Sequence, residues 1–136
     1  MYITRVTLNN YRNYGSLGLE LSPGLNVFTG ENAQGKTNLL EAVYFTGVGR
    51  SMRTPRDKEL IRWGDDMARI RADAAGRYGK SRVEIVLDKR ENKRVAINGV
   101  PVKKLGELMG VIMVVLFSQF IGIAGADILL DVFGVD

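Results

Sequence analysis

A glycine-rich segment with the pattern G-x-x-x-x-G-K-[ST] constrains this chain more than any other feature. It reads Gly30-Glu31-Asn32-Ala33-Gln34-Gly35-Lys36-Thr37 and is followed by Asn38. Glycines let such a loop wrap closely, so that backbone N–H groups and the positive end of the next helix face phosphates. Lys36 adds a full charge at the β and γ phosphates, and the Thr37 hydroxyl ligates Mg²⁺. The pattern predicts a P-loop that binds ATP with Mg²⁺.

The residues on either side of this segment favour the same interpretation. A turn signal at residues 22–24 precedes a short apolar run at 25–29, which is typical of a strand. After Lys36, apolar residues recur at helical spacing until Gly47 and Gly49 end the run. Because strand, glycine loop and helix come in the order that phosphate binding needs, a glycine turn with an incidental lysine is the weaker interpretation.

The rest of the chain reads mostly as antiparallel sheet. Alternating apolar residues predict half-buried strands at 2–8 and 17–21, joined through a polar turn at 9–16. The further predicted elements are a short helix at 56–63, strands at 67–75, 82–88 and 93–97, a turn into 100–102, helical turns at 105–109, and a central strand at 111–117.

Composition limits the chemistry available. The 136 residues suit one globular domain, and they include no Cys and no His, so disulfides, thiolate metal sites and histidine catalysis are excluded. The N-terminus lacks the features of a signal peptide, which predicts a cytoplasmic protein. Residues 108–126 are uncharged and long enough to span a membrane, but two polar residues interrupt them, so a buried strand followed by a separate apolar segment is favoured.

Positive charge is concentrated in the middle of the chain, where residues 50–104 hold sixteen of the nineteen Lys and Arg. Arg50, Arg53 and Arg56 lie in a segment without helical or strand periodicity, which suits phosphate contacts on DNA. An exposed charged loop would have the same composition. Similarly, the aromatic and basic stretch 10–14 could contact a nucleotide or could be an ordinary strand connection.

Beyond the P-loop, the chain resembles the RecF family, bacterial recombination proteins within the ABC-type ATPases related to the SMC proteins. The resemblance runs through residues 1–118 in one register. Its residues are Asn9 to Tyr14, Pro23 to Val27, Gly30 to Ala42, Gly49-Arg50-Ser51, Arg53-Thr54, Lys58 to Trp63, Asn98-Gly99 and Val114 to Ser118.

The resemblance implies an α/β fold, namely a P-loop NTPase lobe of ABC/SMC type with a mixed sheet around the P-loop helix and an antiparallel β subdomain. It implies ATP and Mg²⁺ as ligands, with Arg12 near the nucleotide, and it favours Arg50, Arg53 and Arg56 as DNA contacts. Family members act in DNA replication, DNA repair, recombination and the SOS response. They bind DNA at single-strand to double-strand junctions, form ATP-dependent homodimers, and assist RecA loading together with RecO and RecR.

Residues 119–136 depart from the family pattern, so the chain divides into an ATP-binding lobe at 1–118 and a tail at 119–136. The ABC signature motif and a clear Walker B acidic pair are missing, which puts ATP hydrolysis by this chain in doubt. Residues 128–133 have the apolar-then-acid form of a Walker B strand, and Asp131 would then be a second Mg²⁺ ligand. The alternatives are a DNA-binding fragment with a non-functional P-loop and a different P-loop enzyme such as a small-molecule kinase.

Overall fold

The fold consists of nine strands and one long helix among the residues that the computed structural model describes, which are 2–29, 33–77, 79–108, 110–117 and 126–133. Two short 3-10 helices cover Asp57–Leu60 and Leu105–Leu108. The other elements are β1 Tyr2–Tyr11, β2 Tyr14–Glu20, β3 Gly24–Thr29, α1 Ala33–Val48, β4 Met67–Gly76, β5 Gly79–Asp88, β6 Arg94–Ile97, β7 Val100–Pro101, β8 Met113–Phe117 and β9 Ala126–Phe133.

Six of these strands form an antiparallel sheet in the order β2-β1-β4-β5-β6-β7. Alternate residues of its long strands are fully buried, among them Val6, Ile70 and Ile85. This period-2 burial is what one packed face of a sheet produces. The predicted strands are therefore confirmed, while the predicted turn at 9–16 is too long, because β1 continues to Tyr11 and the chain reverses at Arg12 and Asn13.

The second sheet has the order β3-β9-β8. Both β3 and β8 pair antiparallel with β9, so they run in the same direction with β9 between them. Among the described residues no strand pair is parallel, which differs from the expected mixed sheet. The predicted central strand at 111–117 is also wrong in its position, because β9 takes the middle of this sheet and leaves β8 at an edge.

Helix α1 contacts strands of both sheets. Its residues Leu39, Leu40, Ala42, Val43 and Phe45 are each at most 5% exposed, and they cover several faces of the helix. A helix that is apolar all round is buried on all sides. Apolar burial therefore fixes the position of α1, and with it the end of the glycine loop.

No helix among the described residues is long and apolar enough to cross a membrane. Part of the uncharged segment 108–126 lies outside the described residues, and its start contributes to a 3-10 helix and to β8. The interpretation of this segment as a strand is thus confirmed for Met113–Phe117.

Two glycines with positive φ provide a matched test of how tightly the end of α1 is packed. Gly49 has φ +82° and Gly64 has φ +92°. A Cβ on Gly49 would lie 2.8 Å from Leu105 Cδ2, whereas a Cβ on Gly64 would meet nothing within 4 Å. We expect Gly64→Ala to lower the free energy of unfolding by about 1 kcal/mol through backbone strain alone. Gly49→Ala should cost roughly 1–3 kcal/mol more because of overpacking.

Urea denaturation of both variants measures the difference. Equal losses of stability would show that the contact between Gly49 and the segment at Leu105 is not tightly packed.

Candidate functional site

The P-loop residues lie at the junction between β3 and α1. Strand β3 ends at Thr29 and α1 begins at Ala33, so Gly30, Glu31 and Asn32 lie outside the described residues. Ala33, Gln34, Gly35, Lys36, Thr37 and Asn38 belong to the first two turns of the helix. Unpaired N–H groups and the helix dipole make such an N-terminus favourable for phosphate. A strand before the glycine segment and a helix after it are what the sequence predicts.

Asn38, the residue after the P-loop threonine, is 6% exposed and connects three segments. Its Nδ2 donates to Asn13 Oδ1 at 2.9 Å, and its Oδ1 accepts from Arg53 Nη1 at 2.7 Å. A buried amide is stable only when its groups are paired, so these bonds orient the side chain. Through Asn38 the start of α1 is joined to the β1–β2 turn and to the segment after Gly49.

One turn further along α1, Glu41 is fully buried within an apolar stretch. Its carboxylate accepts hydrogen bonds from Arg12 Nε at 2.8 Å and Arg12 Nη2 at 2.9 Å. Ser51 Oγ donates to it at 2.7 Å, and the Tyr11 hydroxyl also donates to it. The Arg53 guanidinium lies 3.7 Å away. We call these five residues, Tyr11, Arg12, Glu41, Ser51 and Arg53, the Glu41 cluster.

The protonation states within this cluster follow from its contacts. Burial alone would raise the pKa of Glu41, but hydrogen bonds from Arg12, Tyr11 and Ser51 outweigh it and lower the pKa. Burial and the neighbouring Glu41 carboxylate raise the pKa of Tyr11, which keeps the phenol protonated as a donor. The carboxylate is therefore ionised and is neutralised mainly by Arg12.

Arg12 adopts a backbone conformation that arginine rarely takes, with φ +50°. Its backbone N–H donates to the Leu60 carbonyl at 2.7 Å, and its side chain is 24% exposed. The bidentate ion pair holds the Arg12 guanidinium against α1 at Glu41, which lies four residues after Thr37. A contact between Arg12 and a nucleotide stays a prediction, since the structure assigns Arg12 a role in positioning α1.

The three arginines predicted to contact DNA fall into two groups. Arg53 bonds to Asn38 and lies 3.7 Å from Glu41, although its side chain is still 34% exposed. Arg50 is exposed, and Arg56 is 80% exposed, with a long contact of 3.7 Å to Glu59. All three arginines are thus accessible to a polyanion, and Arg53 is in addition bonded within the Glu41 cluster.

The register of the second sheet separates Asp131 from the P-loop. Asp131 pairs with Leu25 near the start of β3, whereas Ala126 pairs with Thr29 at the end that leads into the P-loop. A role for Asp131 as a Mg²⁺ ligand beside Thr37 stays a prediction. In the described part of the chain no group of three or more acidic side chains could hold a metal ion. The Thr37 hydroxyl suits Mg²⁺, which commonly takes one or two protein oxygens and completes its shell with water and phosphate.

Sequence reasoning did not single out Glu41 as a structural centre. The available signal was one acid within the run Leu39-Leu40-Glu41-Ala42-Val43, since a helix buried on all sides cannot leave a carboxylate unpaired. Its partners come from segments distant in sequence, so the signal would have predicted a buried ion pair without identifying Tyr11 or Ser51.

Comparison with known proteins agrees with this geometry. A family model described as AAA domain matches residues 5–119. The chain belongs to the AAA domain family. It is 48% identical over 122 residues to the DNA replication and repair protein RecF of Clostridium perfringens (strain SM101 / Type A), a match covering 87% of this chain and 33% of that protein. The chain thus spans about a third of the length of this curated relative.

Solved structures give the same result. The recombination mediator protein RecF in complex with ATPrS superposes with a TM-score of 0.77 at 31% identity, covering 82% of this chain and 30% of that one. An SMC head domain from Thermotoga maritima superposes with a TM-score of 0.69 at 17% identity, covering 83% of this chain and 43% of that one. The RecF resemblance and the ABC/SMC type of fold are confirmed.

The Glu41 cluster predicts a specific dependence of stability on pH. The folded-state pKa of Glu41 is lower than that of a free glutamate, so its stabilisation is complete above the ordinary pKa and is lost as the pH falls through the folded value. We expect Glu41→Gln to lower the free energy of unfolding near neutral pH by roughly 3 kcal/mol, because the Arg12 charge loses its partner. The variant should also lose stability less steeply in acid than the parent chain.

Urea denaturation between neutral and acidic pH measures both effects. Glu59→Gln is the matched control, because Glu59 is 52% exposed and its nearest ion pair is long. If Glu41→Gln and the parent chain lose unfolding free energy equally steeply as the pH falls, the assignment of an ionised Glu41 is contradicted.

Proposed function

We propose that this chain is the nucleotide-binding lobe of a RecF-like ATPase and that it binds Mg-ATP at residues 30–38. The single observation that supports this best is the junction of β3 and α1 at the G-x-x-x-x-G-K-[ST] sequence, with Lys36 and Thr37 near the helix N-terminus. The phosphates would contact loop N–H groups and Lys36, and Thr37 would contact Mg²⁺. Two structural neighbours, RecF-ATPrS and RecF-ATP, support ATP as the nucleotide.

Lys36→Ala tests this proposal. Removing the charge at the β and γ phosphates should weaken Mg-ATP binding at least tenfold, since charge-assisted contacts contribute about 1.5–3 kcal/mol each. Lys80→Ala is the matched control, because Lys80 is an exposed lysine in the hairpin between β4 and β5. Isothermal titration of each variant with Mg-ATP gives the affinities. No binding by the parent chain, or equal binding by Lys36→Ala, would contradict the proposal.

For the longer protein that such a lobe belongs to, we propose a role in DNA replication and repair, which its relative, the DNA replication and repair protein RecF, supports. The finer expectations are binding at single-strand to double-strand junctions, ATP-dependent homodimerisation, cooperation with RecO and RecR, RecA loading and the SOS response. Phosphoryl transfer needs groups beyond a P-loop to position water and to stabilise charge. We therefore propose nucleotide binding, and not hydrolysis, as the activity of this lobe alone.

A second candidate function is DNA binding by the lobe itself, which the exposure of Arg50 and Arg56 favours. These two arginines flank Arg53, which bonds to Asn38, and they present charge without disturbing the Glu41 cluster. Sequence-independent contacts with phosphates make affinity fall steeply with salt. A DNA-binding fragment with a non-functional P-loop would show this behaviour and would ignore ATP.

The double variant Arg50→Ala/Arg56→Ala should weaken binding to duplex DNA, and its salt dependence should be shallower by about 0.9 per phosphate contact removed. Arg5→Ala/Arg82→Ala removes the same charge from the six-stranded sheet, at positions paired with Glu20 and Asp73, and serves as the control. Fluorescence anisotropy of a labelled duplex at several salt concentrations measures both quantities. Identical affinities and slopes in the two double variants would show that the segment after Gly49 does not contact DNA.

A further inference from the structure

Trp63, the one tryptophan of the sequence, is 85% exposed. Backbone contacts join the turn that carries Trp63 to β1 of the six-stranded sheet. Ile61 forms a bridge with Tyr11, the Arg62 N–H donates to the Asn10 carbonyl at 2.7 Å, and the Asp65 N–H donates to the Arg62 carbonyl at 3.0 Å. An ordered turn thus holds a large aromatic surface in water, where it is available to a ligand.

A groove with both polar and apolar lining residues lies beside this turn. It has a volume of about 300 Å³, and Asn9, Asn10, Met67 and Arg69 are among the residues lining it. Met67 is 41% exposed, and Arg69 is exposed and pairs with Asn9 across β1 and β4. The groove therefore offers side-chain amides and a guanidinium, which can donate hydrogen bonds to a base edge or a phosphate.

The charges around the turn have both signs. Arg62, Arg69 and Lys89 are exposed, and the Lys89 N–H donates to the Asp66 carbonyl, which places Lys89 next to the turn. Asp65 and Asp66 lie on the turn itself. Asp88, opposite Met67 in the sheet, lies 3.9 Å from Arg94. Cations therefore lie on and next to the turn that carries Trp63, without forming a strongly positive field.

We propose that Trp63 and this groove form a stacking site for unpaired bases of single-stranded DNA. An exposed aromatic ring provides a surface on which any base can stack, while neighbouring cations follow the backbone. Duplex DNA leaves such a ring without a partner, because its bases are already stacked on each other. The amides of Asn9 and Asn10 and the guanidinium of Arg69 favour a nucleic acid as the occupant, because they can pair with base edges and phosphates.

This inference rests on the DNA-binding part of the proposed function and is independent of ATP binding. Trp63 reports on it directly, because intrinsic tryptophan fluorescence in this chain comes from this residue alone. A base stacked on the indole should quench that fluorescence. Titration with a short oligothymidylate should therefore quench the emission. An abasic oligonucleotide of the same length, which keeps the phosphates, and a duplex of the same length should quench it much less.

Variants complete the test through anisotropy of labelled oligothymidylate. Trp63→Ala should weaken binding by about 5- to 100-fold, and Trp63→Phe should retain part of the affinity, because stacking contributes roughly 1–3 kcal/mol per base. Val100→Ala, at an apolar residue that is 65% exposed on the far hairpin, should bind as the parent chain does. Since Trp63 is so exposed, its replacement should leave the fold intact, which circular dichroism checks.

Two negative results are distinguishable. If oligothymidylate binds without quenching and Trp63→Ala binds equally well, the stacking site is overturned while DNA binding by the lobe stands. If neither single-stranded nor duplex DNA binds, both the stacking site and the DNA-binding function fail, and the titration with Mg-ATP still tests the nucleotide site separately.

Discussion

The buried carboxylate of Glu41 is the interaction on which the arrangement of the P-loop helix depends. Helix α1 is apolar on nearly every side, so it is stable only between the two sheets, and a charge in its middle leaves water as the helix packs. Taking an ion out of water costs several kcal/mol unless hydrogen bonds and an opposite charge compensate. Arg12, Tyr11 and Ser51 provide that compensation, and they come from two segments that must fold around α1 to reach it.

This arrangement joins the start of α1 to its surroundings. Asn38 and Glu41 lie one turn apart on α1, and Arg53 contacts both. Lys93 holds the same segment from the other side, donating to the Gly49 carbonyl at 2.8 Å and to Asp57 at 2.6 Å. The segment after Gly49 is therefore held in place beside α1 while Arg50 and Arg56 remain exposed. Composition alone describes it as a basic loop, because charge counts cannot distinguish Arg53, which bonds to α1, from Arg50 and Arg56.

Features set by short-range physics could be predicted from the sequence. The turn signal and apolar run before the glycine segment located β3, alternation located the long strands, and helical spacing located α1 close to its observed end. Long-range pairing could not be predicted in this way. The position of β9 between β3 and β8, which puts Asp131 at the far end from the P-loop, depends on strand register across about a hundred residues. The exposure of Trp63 could not be predicted either, because an isolated tryptophan in a sequence is most often buried.

The left-handed backbone at Arg12 has a consequence for which substitutions this position tolerates. Glycine would adopt φ +50° without strain and would save about 1 kcal/mol in the backbone. It would also remove two hydrogen bonds and the cation from a carboxylate that cannot reach water, at a cost of roughly 3–5 kcal/mol. Design rules that replace strained turn residues by glycine would therefore choose the wrong residue here. Arginine is strained in this backbone conformation, but its side chain is needed to neutralise the Glu41 carboxylate on α1.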